Sequence, residues 1–469
     1  MRSERVRTPL HILLVTARYP WPPRRGDQVR ACQMLELLGP EHRVTLLTPR
    51  PAAGQPPPPP AHGSAAVVTY RRHGPSRPGA RGGLLGASRD RLGASGGLLG
   101  ASRDLLGAVR DLLGAAGDLL GAASGLARAA ARGLPLQSGW FFSADLRRQL
   151  RRLAPGADLV VLQLVRLAAH RADAGATPVL VDLIDDLALN FARRAAVDRW
   201  WLRPALTWEA RLLARAQRRL TRQAAGVLLV SGRDHREMAA RLPAALACRL
   251  RIVALAAEPG DEAPRTAAGA AASSEAPVLA DPPSSADPPV LIFTGNLGYF
   301  VNDDAISWWL REVWPALAAR HPDLKLVVAG DRPRARLRRS VAVAGGGTGA
   351  VTIVESPPDM RPLLAGATVA LAPMRCGSGV PVKILEAWAQ GVPVVASPWA
   401  AAGTTGVPGE DLLVASSPPQ WTEVLSDLLQ DPPARRRLAA NGRRRLQADY
   451  SRQAVKAQLL AAVAAARAE

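Results

Sequence analysis

Cysteine is scarce in this chain: Cys32, Cys248 and Cys376 stand far apart among 469 residues. Their spacing provides neither a disulfide framework nor a set of metal ligands, which is typical of a reducing compartment. The sequence also lacks an Asp-x-Asp triplet and a His/Cys cluster. We therefore expect a protein with no metal site and no cofactor.

Long apolar runs are missing as well, since none reaches the ~18 residues that a membrane span requires. The first twenty residues resemble a short signal peptide, but the apolar core is only about six residues long and no small-residue cleavage site follows it. We interpret Leu10–Thr16 as a first buried strand, and we expect a cytoplasmic protein.

Aromatic residues make up only 4% of the chain, and no nucleic-acid recognition motif accompanies the net charge of +21. We therefore expect no nucleic-acid partner, although the charge favours other anionic partners such as lipid headgroups or sugar nucleotides. Lysine is rare too: Lys325, Lys383 and Lys456 are the only three among 60 Lys and Arg residues. A lysine within a site motif is therefore informative.

Short apolar stretches alternate with helical stretches along the first half, which indicates a parallel α/β sheet. These stretches are Leu10–Thr16, Arg43–Leu47, Asp158–Leu164, Pro178–Leu183 and Gly226–Ser231. A second set follows Pro289, namely "VLIFTG", "LKLVVAG", "VTIVES", "VALAP" and "PVVAS". Because 469 residues exceed one core, we predict two α/β domains.

The predicted boundaries are an N-terminal domain over 1–257, a C-terminal domain over 290–447 and a final helix over 448–469. Residues 258–289 are rich in Pro, Ala and Ser, which predicts a disordered linker or an expanded loop. Residues 84–132 form low-complexity heptads such as "LLGAVRD". This insert either folds back on the N-terminal domain or forms a helix on a membrane surface or a partner.

The strongest site signal is the stretch "RCGSGVPVKILEAWAQGVPVVAS", residues 375–397. It predicts a turn over 377–379, a helix that begins at Pro381 and a strand after Gly391. The turn would lie at a helix N-terminus beyond the carboxyl end of a parallel strand, where open α/β sheets bind ligands. Free amides and the helix dipole favour an anion there, such as a diphosphate.

Lys383 and Glu386 lie one turn apart on the same face of this predicted helix. Lys383 would add a positive charge beside the anion, and Glu386 would accept two hydrogen bonds from a ribose diol. The alternative is an i,i+3 surface ion pair worth about 0.2–0.5 kcal/mol. The rarity of lysine favours a site.

The stretch "GSGVPVKILEAWAQGVPVVAS" resembles the donor-site signature of the retaining, GT-B-type family-4 glycosyltransferases. "FTGNLGYFVNDDAISWWLREVWPAL" resembles the opening strand, glycine loop and first helix of the same domain, and "LKLVVAGDRP" resembles its second strand. "YPWPPRRGDQVR", "VLVDLIDDLA" and "LLVSGRDHREM" in the first half resemble the subgroup associated with exosortase-linked exopolysaccharide loci.

The resemblance implies a GT-B fold, in which two Rossmann-like domains face each other across a cleft and the helix after Tyr450 crosses back. It implies metal-independent, retaining transfer of a hexosyl-type sugar from a nucleotide sugar to a polysaccharide or lipid-linked acceptor in a bacterium. Its implied donor-binding residues are Gly295, Asn296, Arg332, Gly377, Ser378, Gly379, Lys383 and Glu386. Lys383, Glu386 and Arg375 would be catalytic, and the acceptor side would comprise Gly26, Asp27, Arg30 and Asp185.

Two positions depart from the family pattern: Ser378 replaces a common glutamate, and Ile184 replaces the usual active-site histidine. A second hypothesis is therefore a catalytically inactive sugar-nucleotide-binding or scaffold protein of the same fold. Residues 198–222 form a basic segment with three tryptophans. It is either a solvated helix face over the core or a docking surface for an anionic membrane at the inner face.

Overall fold

The computed structural model describes residues 9–23, 25–52, 55–57, 66–71, 129, 131, 133–258, 288–346 and 350–468. The predicted heptad insert, apart from residues 129 and 131, and most of the predicted linker therefore lie outside the described residues. No helix in the described part of the chain is both long and apolar enough to cross a membrane.

The first half of the described chain forms a parallel sheet. Its strands are β1 His11–Val15, β2 Arg43–Pro49, β3 Ala66–Tyr70, β4 Leu159–Gln163, β5 Val179–Ile184, β6 Gly226–Leu229 and β7 Leu250–Ile252. They lie in the order β3-β2-β1-β4-β5-β6-β7. All five strands predicted in this half are confirmed, because strands covered on both faces are continuous apolar runs.

The second half forms another parallel sheet. Its strands are β8 Val290–Thr294, β9 Lys325–Gly330, β10 Val351–Glu355, β11 Val369–Ala372, β12 Val394–Ala396 and β13 Leu413–Val414. Their order is β10-β9-β8-β11-β12-β13. The direction of winding reverses between β1 and β4 and again between β8 and β11, and ligand crevices of open α/β sheets form at such points.

Helices cover the faces of both sheets. In the first half they are α1 Gly26–Leu38, α2 Leu136–Phe141, α3 Ala144–Leu153, α4 Leu187–Val197, α5 Arg203–Gln223, α6 Gly232–Ala239 and α7 Ala244–Ala247, with 3₁₀ turns at Ala154–Gly156, Val165–Ala174 and Trp200–Leu202. In the second half they are α8 Phe300–Glu312, α9 Trp314–Arg320, α10 Ala335–Gly345, α11 Arg361–Ala365, α12 Val382–Ala389, α13 Pro398–Ala401, α14 Pro418–Gln430, α15 Pro432–Tyr450 and α16 Arg452–Ala468.

Helix α16 packs against the first half of the chain. Its Lys456 Nζ lies 2.6 Å from Glu41 Oε1. Its Gln458 Oε1 accepts a hydrogen bond from the backbone N–H of Ala254 at 2.9 Å. The chain therefore returns to the first sheet after it has completed the second, and this contact joins the two halves.

Helix α12 is anchored by the apolar side chains that it buries. Trp388 is fully buried, and its Nε1 donates to the carbonyl oxygen of Asp411 at 3.2 Å. Ile384 and Leu385 are buried beside it. This packing fixes the rotation of the helix, and the i,i+3 spacing brings Lys383 and Glu386 to the wall of a cleft.

Candidate functional site

A cavity of about 1610 Å³ lies between the carboxyl edges of the two sheets. Small-molecule pockets usually measure about 300–1,000 Å³, so this one has room for two substrates. It brings together predicted site residues from both halves, namely Gly26, Asp27, Asp185, Gly295, Asn296, Arg332, Gly377, Ser378, Gly379, Lys383 and Glu386.

Two predicted site residues do not line this cavity. The Arg375 guanidinium pairs instead with Asp304, at 3.0 Å from Nε to Oδ2. Arg30 is only 1% exposed; its Nε lies 3.3 Å from Asp182 Oδ2, and it also donates to the carbonyl oxygen of Ala254 at 2.5 Å. Both arginines are therefore paired with carboxylates of the protein and do not face the cavity.

The turn before α12 depends on glycine. Gly377 and Gly379 have φ of +120° and +73°, a region that other residues rarely adopt. A Cβ at Gly379 would lie 3.4 Å from the Cβ of Asp185 in the opposite half. Glycine therefore lets this loop form its turn, and the loop lies in contact with the first half of the chain.

Lys383 is enclosed at the base of α12. Its Nζ donates to Asn302 Oδ1 at 3.1 Å and lies 3.6 Å from the centre of the Phe293 ring. Burial lowers the pKa of Lys383 to about 7, and the charge of Glu386 only partly opposes this shift. An anionic ligand beside Nζ would therefore favour the protonated amine.

Glu386 is an exposed residue of α12 and opens onto the cavity. Desolvation by the surrounding wall raises the pKa of Glu386, whereas the charge of Lys383 and a contact from Thr294 lower it. Thr294 Oγ1 lies 3.5 Å from Glu386 Oε2, too far for a strong hydrogen bond. The carboxylate therefore retains capacity to accept hydrogen bonds from a ligand.

Arg332 supplies a second cation to the same wall. It lines the cavity next to Asp331, and within the described residues its guanidinium makes no hydrogen bond or ion pair.

The loop between β8 and α8 also borders the cavity. The Asn296 side chain shapes this loop by accepting a hydrogen bond from the Gly298 backbone N–H at 3.0 Å. No group of three or more His, Cys, Asp or Glu that could hold a metal ion occurs within the described ranges.

Side chains from the first half hold the glycine turn. Ser378 Oγ donates to Asp185 Oδ2 at 2.6 Å and accepts from Asn190 Nδ2 at 2.9 Å. The backbone N–H of Gly379, expected to bind an anionic ligand, donates to Asp234 Oδ2 at 2.6 Å. One predicted anion-binding amide is therefore engaged by a carboxylate of the protein itself.

Asp185 is a titratable group at this junction. Burial raises the pKa of Asp185 to about 6, the hydrogen bond from Ser378 opposes the shift, and the nearby charge of Asp234 adds to it. The carboxyl therefore keeps its proton to a higher pH than an ordinary aspartate does. It lies on the cavity wall, where it can accept a hydrogen bond from a ligand hydroxyl.

Two arginines clasp a tryptophan where the halves meet. The guanidinium carbons of Arg193 and Arg233 lie 3.7 and 4.4 Å from the ring centre of Trp399. Arg233 also donates to the carbonyl oxygen of Trp399 at 2.6 Å. Cation–π contacts of this kind contribute ~0.5–2 kcal/mol each, so these two arginines stabilise the contact between the two halves of the chain.

Three residues other than glycine adopt left-handed backbone angles at the cavity: Leu164, Ile184 and Arg332, with φ of 72°, 67° and 54°. Such angles are unfavourable, especially for β-branched Ile184. Strained backbone concentrates at functional sites. At Ile184 the bend ends β5 and brings Asp185 to the cavity.

Sequence reasoning missed several of these residues. Asp234 and Arg233 lie in "LLVSGRDHREM", which the family resemblance had already singled out, so a signal for them existed. Asn190 and Arg193 lie on α4 without any motif. Only the folded arrangement shows that they contact Gly377 and Ser378.

Comparisons with known proteins agree with this architecture. Residues 288–431 match a family model described as glycosyl transferases group 1. The chain is 33% identical over 150 residues to a GDP-mannose-dependent monoacylated alpha-(1-6)-phosphatidylinositol monomannoside mannosyltransferase of Corynebacterium glutamicum, which covers 30% of this chain and 39% of that protein. The chain spans 33% to 39% of the length of the curated relatives it matches.

Solved structures match nearly the whole chain. Sucrose-phosphate synthase from Thermosynechococcus elongatus has a TM-score of 0.62 at 15% identity, covering 97% of this chain and 98% of that one. Anabaena HepE, solved with UDP and glucose, has a TM-score of 0.59 at 12% identity, covering 97% and 99%. The chain therefore has the GT-B fold, and its second half matches the group 1 glycosyltransferase model.

Proposed function

We propose that the protein is a glycosyltransferase that moves a hexosyl-type sugar, with retention and without a metal ion, from a nucleotide sugar to a polysaccharide or lipid-linked acceptor. The observation that carries this proposal is the convergence of Lys383, Glu386 and Arg332 on one interdomain cavity. All three belong to the segment that matches the group 1 glycosyltransferase model.

A nucleotide-sugar donor fits the chemistry of the wall formed by the second half. Glu386 would accept hydrogen bonds from the ribose hydroxyls, and the loops at Gly295 and Gly377 would face the sugar and the diphosphate. The Anabaena neighbour, solved with UDP and glucose, and the relative that uses GDP-mannose support this donor class.

The chemical step requires stabilisation of a leaving nucleoside diphosphate. In the proposed reaction an acceptor hydroxyl oxygen forms a bond to the anomeric carbon on the face from which the diphosphate departs. The proton of the acceptor hydroxyl passes to the leaving phosphate oxygen. Lys383 and Arg332 would stabilise the charge that develops there, since preorganised cations and dipoles lower such barriers.

The acceptor would lie against the wall formed by the first half, which includes Gly26, Asp27 and Asp185. A lipid-linked acceptor is supported by the relative whose name specifies a phosphatidylinositol mannoside. We place the reaction in the bacterial cytoplasm, at the inner face of the membrane, in exopolysaccharide synthesis.

A transfer assay tests the proposal. The full chain is incubated with radiolabelled UDP- and GDP-sugars and a bacterial lipid and glycan extract, and labelled products are separated by chromatography. We expect a labelled acceptor with one donor class, and at least a tenfold slower reaction for Glu386→Ala. Absence of transfer with every donor and extract contradicts the enzymatic assignment.

A sugar-nucleotide-binding protein without turnover is the second candidate. It is favoured by the contact between Asp234 and the Gly379 amide, which competes with an anionic ligand for that donor. Ser378 and Ile184, which differ from the family pattern, point the same way. Donors that bind tightly but are neither hydrolysed nor transferred would establish this alternative.

A further inference from the structure

A second, smaller cavity lies outside the interdomain cleft. It has a volume of about 180 Å³ and lies between helix α5 and the end of helix α6. Arg215, Gln217 and Arg218 line it from α5, and Met238 and Arg241 line it from the other side. Neither the donor nor the acceptor proposal uses any of these residues.

An unpartnered donor is buried at this cavity. Gln217 is only 2% exposed, and its Nε2 has no hydrogen-bond partner among the described residues. A buried N–H group without a partner is unfavourable and calls for an explanation. A ligand that accepts a hydrogen bond would satisfy it.

The charge at the cavity is positive. Arg215 and Arg218 lie at i,i+3 on α5 and are exposed, and neither makes a hydrogen bond or ion pair within the described part of the chain. Arg241 is already compensated by an ion pair with the buried Asp186. Two uncompensated cations beside a buried amide donor fit a phosphate group, whose oxygens accept from all three.

The surrounding surface indicates where this phosphate comes from. Arginines and Trp208 dominate the exposed positions of α5. Trp200 is 79% exposed and Trp208 43% exposed. The single acidic residue of α5, Glu209, is buried and accepts from the Leu136 backbone N–H. Tryptophan and arginine together on an exposed helix face are typical of binding at an anionic membrane surface.

We propose that the α5–α6 cavity binds the phosphate of an anionic lipid headgroup and seats helix α5 on the membrane. This proposal rests on the proposed function in one respect: membrane binding would bring the protein close to a lipid-linked acceptor. Membrane binding itself does not require activity, so each of the two proposals can fail without the other.

Vesicle flotation of the full chain tests the site, with phosphatidylcholine alone and with phosphatidylcholine mixed with phosphatidylglycerol. We expect binding to the mixed vesicles only. Gln217→Leu removes the amide donor without changing the charge, and we expect about tenfold weaker binding. Gln223→Leu, the same change at an exposed position of α5 outside the cavity, is the matched control and should bind like the wild type.

The arginines are tested by a second matched pair. Arg215→Gln/Arg218→Gln should weaken binding by about fivefold per arginine through the loss of charge alone. Binding should fall further because the cavity loses two side chains that donate to the phosphate. Arg211→Gln/Arg222→Gln removes the same charge from α5 outside the cavity. Its vesicle binding should weaken only by the amount that follows from the lost charge. UDP affinity should be the same in every variant, which separates this site from the cleft.

Three results would overturn the proposal. One is failure to bind the phosphatidylglycerol vesicles. Another is equal binding by Gln217→Leu and Gln223→Leu, together with equal losses in the two arginine pairs, which would mean unspecific attraction. The third is stabilisation of the wild type against heat by glycerol phosphate without any vesicle binding, which would assign the cavity to a free phosphate compound.

Discussion

Lys383 should take up a proton when a nucleoside diphosphate binds. Burial lowers the pKa of Lys383 to about 7, so at pH 8 only about one tenth of the ligand-free protein carries the ammonium. A diphosphate beside Nζ favours the charged form. Linkage then requires an uptake of about 0.9 proton per UDP at pH 8, and the association constant falls roughly tenfold per pH unit above 7.

Isothermal titration calorimetry measures this uptake. UDP is titrated at pH 8 in two buffers that differ in ionisation enthalpy, and the difference in observed heat gives the number of protons. At this pH the terminal phosphate, with a second pKa near 6, is already ionised. Lys383→Met is the control, and it should bind more weakly with no uptake.

A second control separates charge from titration. Lys383→Arg keeps a cation that does not deprotonate in this range, so its affinity for UDP should be nearly independent of pH between 7 and 9. Zero proton uptake by the wild type, or equal uptake by Lys383→Met, would refute the placement of the diphosphate beside Lys383.

Glu386→Ala should weaken UDP binding about tenfold to a hundredfold, because unpaired hydroxyls cost ~1–3 kcal/mol; an unchanged dissociation constant by calorimetry contradicts the ribose contact. Arg30→Met leaves the buried Asp182 unpaired, so scanning calorimetry should show a lower Tm, at a cost of ~3–5 kcal/mol, and adding Asp182→Asn should restore part of it. Gly379→Ala, with φ of +73°, should lose UDP binding as well as ~1–2 kcal/mol of stability. Gly409→Ala is the control, because Gly409 has φ of +85° and open space where a Cβ would lie; it should lose stability but keep its UDP affinity. Equal UDP affinity in the two glycine variants argues against a role of the Gly377–Gly379 turn in donor binding.

Much of the fold could be predicted because its central strands are buried on both faces. Strands β1 and β8, for example, are nearly continuous apolar runs. Strand β7, with three residues, and strand β13, with two, are too short to stand out at the edges of their sheets. Strand β3 is also an edge strand, and its five residues "AVVTY" are mostly only partly buried, so it gives a weaker signal than a central strand.

The part of the site that lies on one helix could be predicted, whereas the contacts between the two halves of the chain could not. Lys383 and Glu386 lie on one helix, so their spacing alone predicts a shared face. Asn190 and Asp234 contact the glycine turn from more than 140 positions earlier in the chain. Arg375 turns towards Asp304 on α8, a choice that depends on a distant side chain and not on the motif.

Hydrogen–deuterium exchange of the full chain with and without UDP tests the central claim most directly. The account predicts protection of peptides that cover residues 294–299, 330–334 and 376–390, with no change over α5. Protection elsewhere with these three segments unaffected would contradict a nucleotide site at the amino end of α12.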